Sequence, residues 1–205
     1  MKHVIITRLL YPVGDRRFKK RFDMYQRLYD SLQAQTNQNF DIAVLCNRQH
    51  APLFHGLGVI PFFVRDNWTG QREGKYWNCK TDWDNLVGLD MYDIQSNIDS
   101  DDYVTEVYVD KIQEVCKGDE SIHVHFQPML HEYATGIIKP MKNTYDENNG
   151  SAFKSLYQPN KDNYIYIGQD GHRRMQQYAK KTILFPQGFA FVGIHDDNDS
   201  TTINA

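Results

Sequence analysis

Phe40-Asp41-Ile42-Ala43-Val44-Leu45-Cys46 is the stretch on which the fold turns. Its apolar residues are consecutive rather than alternating, which predicts a strand buried on both faces, as in parallel sheets. Upstream, Phe18, Phe22, Tyr25, Leu28, Tyr29 and Leu32 recur at three- and four-residue spacing and predict an amphipathic helix. Asp15 is placed to cap it. Further back, His3 to Thr7 is a β-branched run that predicts another buried strand. Gln35 to Asn39 reads as the turn between helix and second strand. Strand, helix and strand in this length make a βαβ unit with parallel strands.

Outward from that unit, Val59 to Val64 predicts a third strand, held to the sheet edge by Pro61. Arg65 to Asp90 carries Trp68, Trp77 and Trp83 among Gly70, Arg72, Gly74, Lys75 and Lys80, and reads as a loop turning helical between Thr81 and Leu89. Met91 to Ile98 predicts a strand, and Tyr103 to Lys117 a helix with Val104, Tyr108, Ile112 and Val115 on its apolar face. Ile122 to Gln127 and Tyr133 to Lys139 read as paired β segments around Pro128 and His131, and Thr144 to Ser151 as a polar loop. Tyr164 to Gly168 predicts a strand, His172 to Lys181 a short basic helix, and Phe189 to His195 a last strand before a polar tail. The fold class is α/β, a mostly parallel central sheet flanked by helices, with antiparallel additions in the C-terminal half.

A chain of 205 residues is long enough for one sizeable core, so a single domain over 1–205 is expected. Hydrophobic content of 40% and charged content of 24% are ordinary for a soluble globular protein. The net charge of -3 offers no general attraction to nucleic acid or an anionic membrane. Cys46, Cys79 and Cys116 have no CxxC spacing, which argues against a zinc site or a disulfide framework and for a reducing compartment. The opening apolar run is too short for a signal peptide, and no stretch reaches the roughly 20 apolar residues of a membrane span. A cytoplasmic location is expected.

Chemistry concentrates at Ile98-Asp99-Ser100-Asp101-Asp102-Tyr103, where three carboxylates fall within four residues. Such crowding is repulsive unless a cation sits among them or water screens them. If the preceding strand continues through it, Asp99 and Asp101 share one side, which suits a hard divalent cation with oxygen ligands. A polar turn whose Asp101 or Asp102 caps the next helix is the competing reading. In open α/β sheets ligands bind beyond the carboxyl ends of the strands. That selects Thr7 and Arg8, Asn47 and Arg48, and Asp99 to Asp102. Arg72, Lys75 and Lys80 are further phosphate candidates or solvated surface charges. His123 and His125 alternate onto one strand face without a third ligand at suitable spacing, so packing or surface roles are expected.

Ser31-Leu32-Gln33-Ala34-Gln35-Thr36-Asn37-Gln38-Asn39-Phe40-Asp41-Ile42 resembles the "SL..QT..NFEI" signature of nucleotide-sugar glycosyltransferases with the GT-A fold, family 2 in particular. Asp99-Ser100-Asp101-Asp102 is similar to their "DxDD" motif. The opening HVIITR, Ser151 to Leu156, Tyr166 to Gly168 and Ile194-His195 are similar to the rhamnosyltransferase branch. The resemblance implies transfer of a sugar, rhamnose included, from a UDP-, dTDP- or GDP-linked donor to a glycan or other hydroxyl acceptor, with inversion and with Mn²⁺ or Mg²⁺. It implies a nucleotide-binding half over 1–118, an acceptor-side half over 119–195 and a polar tail over 196–205. It further implies Asp101 as metal ligand, Asp99 as second ligand or ribose partner, His195 as the late histidine that reaches metal or diphosphate, and Asp170 as the base. Asp146 and Glu147 are alternative bases, and a helix cap is the other reading of Asp170.

The chain departs from the family at Asn47, where an acidic stretch is usual, and at Asn97, where the branch carries arginine. Two other functions fit less of the sequence. A sugar-nucleotide pyrophosphorylase needs a Gly-rich phosphate loop after the first strand, which Arg8-Leu9-Leu10-Tyr11-Pro12 does not supply. A non-catalytic sugar- or protein-binding domain on the same scaffold is the alternative from a different class.

Overall fold

The computed structural model describes residues 1–9, 17–63, 88–141, 153–161, 164–167 and 175–195. The expected βαβ unit opens the chain: β1 (His3–Leu9), α1 (Phe18–Gln33) and β2 (Asp41–Cys46), with β1 and β2 parallel. Both faces of these strands are covered. Ile5, Leu9 and Val44 pack with Tyr25, Leu28 and Leu32 of α1. Val4, Ile6, Ala43 and Leu45 pack on the other side with Leu156 and Ile167. Consecutive apolar positions in a strand require this two-sided burial. β3 (Val59–Phe63) pairs in parallel with β2 at the sheet edge, where Pro61 withholds no needed hydrogen bond.

β4 is shorter than its apolar run, covering only Ile94–Asn97, because Leu89–Met91 winds into a 3₁₀ turn first. The helix expected from Tyr103 divides into β5 (Tyr103–Val104) and α2 (Tyr108–Val115). The division has a partner-driven cause: Tyr103 and Val104 pair with Phe191 and Ala190 of β11 (Ala190–Ile194), and Thr105 N–H donates to Phe189 O at 3.0 Å. Val107 precedes α2 without a side-chain cap, so neither Asp101 nor Asp102 serves as its cap. β6 (Ile122–Phe126) joins the large sheet rather than pairing with its successor. The hairpin is made instead by β7 (Met129–Glu132) and β8 (Ile137–Pro140).

Two strands lie where none was expected, β9 (Lys154–Tyr157) and β10 (Lys181–Phe185). β9 runs antiparallel between β4 and β6, and β10 runs parallel to β6. The short basic helix reduces to a 3₁₀ turn at Met175–Tyr178, and the strand expected from Tyr164 is absent over 164–167. There, side-chain amides take the place of a neighbouring strand. Ile165 O accepts from Gln95 Nε2 at 3.0 Å and Gln158 Nε2 at 2.8 Å, and Ile165 N–H donates to Gln158 Oε1 at 2.9 Å. The large sheet has the order β10-β6-β9-β4-β1-β2-β3, and a smaller sheet has the order β5-β11-β7-β8. Cys46 and Cys116 are buried, as their apolar contexts predict, while Cys79 lies outside the described residues. Among the described residues no helix is long and apolar enough to cross a membrane.

The end of α1 is fastened to the start of α2 by residues of the Ser31–Ile42 signature. Gln35 Nε2 donates to Ser31 O at 2.9 Å and Thr105 O at 2.6 Å, and its Oε1 accepts from Val109 N–H at 3.0 Å. Thr36 N–H donates to Glu106 O at 2.8 Å. Gln38 Nε2 donates to Leu32, Gln33 and Gln35 carbonyls. The Val109 N–H and the carbonyls at the end of α1 are groups that helix ends leave behind. The signature is therefore a fastening across the fold, and it holds the acidic segment 99–102 close to α1. Gln35→Ala strands buried backbone groups and is expected to cost about 2 kcal/mol in urea denaturation. A change below about 0.5 kcal/mol would show the fastening to be dispensable.

Candidate functional site

β4 ends at Asn97, so strand alternation does not carry into Ile98–Tyr103, and the three carboxylates part company. Asp99 Oδ1 accepts from Arg8 Nη2 on β1 at 2.7 Å. Asp101 Oδ2 accepts from Arg21 Nη1 on α1 at 2.8 Å and lies 2.9 Å from Nε2 of His195, which follows β11. Asp102 is buried, and its Oδ1 accepts from Gly193 N–H at 3.1 Å. Burial, followed by the Asp101 and Asp99 charges, pushes the Asp102 carboxyl well above the usual carboxylate range, against the pull of Gly193 N–H and Arg21. The expectation of Asp99 and Asp101 on one side is thus corrected: each turns to its own arginine, from a different element.

The backbone of the segment is tied as firmly as its side chains. Asp102 N–H donates to Asp99 O at 3.1 Å, closing the turn. Tyr133, beyond β7, donates its hydroxyl to Asp101 O at 2.6 Å, and its ring lies parallel to that of His195 at 6.4 Å. Gly193 has to be glycine for this contact. A Cβ there would collide with the Asp101 carbonyl oxygen and the Tyr133 hydroxyl.

Of the other expected site residues, Arg8 stands at the ligand edge with its side chain 25% exposed. Thr7 does not. β1 runs on to Leu9, so Thr7 lies inside the strand, wholly buried, with no hydrogen-bond partner for Oγ1 among the described residues. Asn47 follows β2 and heads the 3₁₀ turn Arg48–Phe54. His123 and His125 are buried on β6 rather than gathered into a metal site. Burial, then Lys154 and His125, lowers His123 to about 3; burial, then Lys154, lowers His125 to about 4. Both rings are neutral at pH 7. Arg72, Lys75, Lys80, Asp146, Glu147 and Asp170 lie outside the described residues.

Arg21, Tyr133 and Gly193 were not singled out from sequence. Arg21 had a readable signal: it falls on the buried stripe of α1, four residues before Tyr25 and seven before Leu28. A lone arginine in core register has to find a carboxylate. Tyr133 and Gly193 reach the segment through tertiary contacts that no local pattern announces.

The metal expected here can be tested against the donors present. The 2.9 Å between Asp101 Oδ2 and His195 Nε2 is a hydrogen-bond contact, and Arg21 Nη1 lies 2.8 Å from the same oxygen. Among the described residues no third His, Cys, Asp or Glu joins them. Divalent ions that retain water and phosphate oxygens make do with one or two protein ligands. Asp101 and His195 are the donors here that would take a cation of that kind, with Asp101 shared with Arg21 and Asp99 engaged by Arg8.

No protein-family model matches this chain. No curated protein matches it either. Solved structures of TarS from S. aureus, a GT-A-type glycosyltransferase, do. The complex of TarS 1-349 with UDP-GlcNAc aligns at 13% identity with a TM-score of 0.62, covering 100% of this chain and 61% of that one. The complex of TarS 1-349 with UDP aligns at 15% identity with a TM-score of 0.59, covering 95% and 61%. A longer TarS structure aligns at 12% identity with a TM-score of 0.60, covering 95% and 37%. This chain therefore spans less than two thirds of those structures, and at such identity the likeness establishes the fold.

Gly193→Ala is expected to push the Asp101 carbonyl and Tyr133 apart and to lower stability by about 2 kcal/mol in urea denaturation. A variant as stable as the parent would mean that β11 and the acidic turn are not held this closely.

Proposed function

We propose that this chain is a glycosyltransferase catalytic domain, moving a sugar from a nucleotide-diphosphate donor to an acceptor hydroxyl. The observation that carries this reading is the meeting of Arg8, in the last residues of β1, with Asp99, and of Asp101 with His195 and Arg21, where β1 ends and beyond the carboxyl ends of β4 and β11. Ligands of open α/β sheets bind at such an edge. TarS, whose fold this chain shares, has been captured with UDP-GlcNAc and with UDP. The family-like residues at 31–42 and 99–102 support the same assignment.

Breaking a sugar–phosphate bond leaves positive charge on the sugar and negative charge on the departing diphosphate. In this reading Arg8 faces that diphosphate and Asp99 orients Arg8 or the ribose. Asp101 and His195 would hold a manganese or magnesium ion, which would supply Lewis-acid stabilisation of the leaving group. Arg21 fixes the Asp101 carboxylate so that no reorganisation is needed when charge develops. Asn47 borders the nucleotide, and Arg72 and Lys75 add phosphate contacts. Asp170 takes the proton of the acceptor hydroxyl in an inverting displacement. Rhamnose is the donor sugar that the resemblance favours. The two halves, 1–118 and 119–195, divide donor from acceptor within one domain.

Calorimetry of the chain with UDP, dTDP and GDP, each with and without Mn²⁺, tests the proposal. At least one nucleotide is expected to bind in a Mn²⁺-dependent manner, and Asp101→Ala to weaken it about tenfold or more. Absence of nucleotide binding in the presence of Mn²⁺ would contradict a donor site here.

A further inference from the structure

Asp101 is held at two points by the same helix. Arg21 of α1 reaches its carboxylate, with Nη1 2.8 Å from Oδ2. Arg27, farther along α1, lays its guanidinium over the Tyr133 ring, 4.1 Å from the centroid. The Tyr133 hydroxyl in turn donates to the Asp101 carbonyl oxygen at 2.6 Å. The main chain of Tyr133 is fixed as well: its N–H donates to Ile194 O at 3.1 Å, carrying the β7–β11 ladder one residue past Glu132. His195 follows Ile194, and its ring lies parallel to that of Tyr133. His131 meets the Tyr133 ring edge-on, with centroids 5.1 Å apart. A ring packed by these neighbours has little rotamer freedom left to lose, so its hydroxyl is aimed in advance.

The two grips on Asp101 meet different demands. Oδ2 is in contact with both Arg21 and His195, so a divalent cation arriving there has to take the oxygen from these partners. The carboxylate contacts rearrange in that exchange and cannot by themselves keep the residue in place. The Tyr133 bond goes to the main chain instead, and the exchange leaves it untouched. Room for the bond is kept by Gly193, where a Cβ would collide with the Asp101 carbonyl oxygen and the Tyr133 hydroxyl alike. Removing an outer partner that orients a metal ligand typically costs about 10–100-fold in metal affinity.

We propose that Tyr133 is a positioning residue, which holds the main chain of Asp101 while its carboxylate turns from Arg21 toward a divalent cation shared with His195. Arg27 is the far end of this brace and steadies the tyrosine ring from α1. The cation rests on the glycosyltransferase reading; the brace from Arg27 through Tyr133 to Asp101 does not.

Tyr133→Phe in the full chain tests the proposal, because it keeps the ring under Arg27 and beside His195 and removes only the hydroxyl. Without metal, hydrogen exchange of the Asp102 N–H, which closes the turn on Asp99 O, is expected to quicken about fivefold or more relative to the amides of β2. With saturating UDP, Mn²⁺ affinity read from the EPR signal of the free ion is expected to fall about tenfold or more. Arg27→Met, which leaves the hydroxyl but takes the cation from the ring, should give a smaller loss in the same direction. A tyrosine that only adds stability would quicken all amides alike and leave Mn²⁺ affinity unchanged, and that result overturns the proposal. Asp102 exchange no faster than that of β2 overturns the brace. A parent chain that takes up no Mn²⁺ with UDP removes the cation and the positioning role with it, while Asp102 exchange still decides whether the brace exists.

Discussion

The ion pair between Arg21 and Asp101 is the constraint on which the ligand edge depends. Its partners are 7% and 17% exposed, so neither charge is left to bulk water, and removing one would cost about 3 kcal/mol or more. Three carboxylates within four residues would otherwise repel one another into an open loop. Here each is answered from a separate element: Asp99 by β1, Asp101 by α1, and Asp102 by the backbone of β11. The same turn thus draws helix, central sheet and small sheet to a single point. His195 and Tyr133 arrive at that point because β11 and β7 run parallel to each other in the small sheet.

The front of the fold was legible because its signals are local. Consecutive apolar residues in β2, a 3.6-residue stripe in α1 and a proline in β3 each imply one answer, and the structure has all three. The back half was harder to read, for reasons visible in single residues. Lys154-Ser155-Leu156-Tyr157 lies at the centre of a sheet, yet its lysine and serine hide the strand; both are buried. Tyr164 to Ile167 has the composition of a strand, but Gln95 and Gln158 already satisfy its backbone through their side chains. Tyr103 and Val104 continue a helical stripe on paper, while Phe191 and Ala190 claim them for β5. In each case a tertiary partner decided between local options of similar merit.

The site divides along the same line. Arg8, Asp99, Asp101 and His195 were readable from strand ends and motif likeness, and the structure brings them into two adjoining pairs. Thr7 falls short of the ligand edge because β1 extends two residues past it, so of this strand end it is Arg8 that reaches the edge while Leu9 packs in the core. Arg21 could have been found, since charge in the core register of a helix is rare without a buried partner. The parting of Asp99 from Asp101 could not, because it follows from where β4 stops, and that is set by pairing with β1 and β9.

Function rests on whether the Asp101–His195 pair is a pole for metal and diphosphate or only a clasp between α1 and β11. The two readings differ in whether these two side chains, in hydrogen-bond contact at 2.9 Å, turn to a shared ion when ligand is present. A crystal structure of the chain grown with UDP and Mn²⁺, read through the manganese anomalous signal, separates them. The account predicts an anomalous peak in bonding contact with Asp101 Oδ2 and His195 Nε2, and a diphosphate between that peak and Arg8. A nucleotide bound elsewhere, or an Asp101–His195 pair without manganese beside a bound diphosphate, would contradict it.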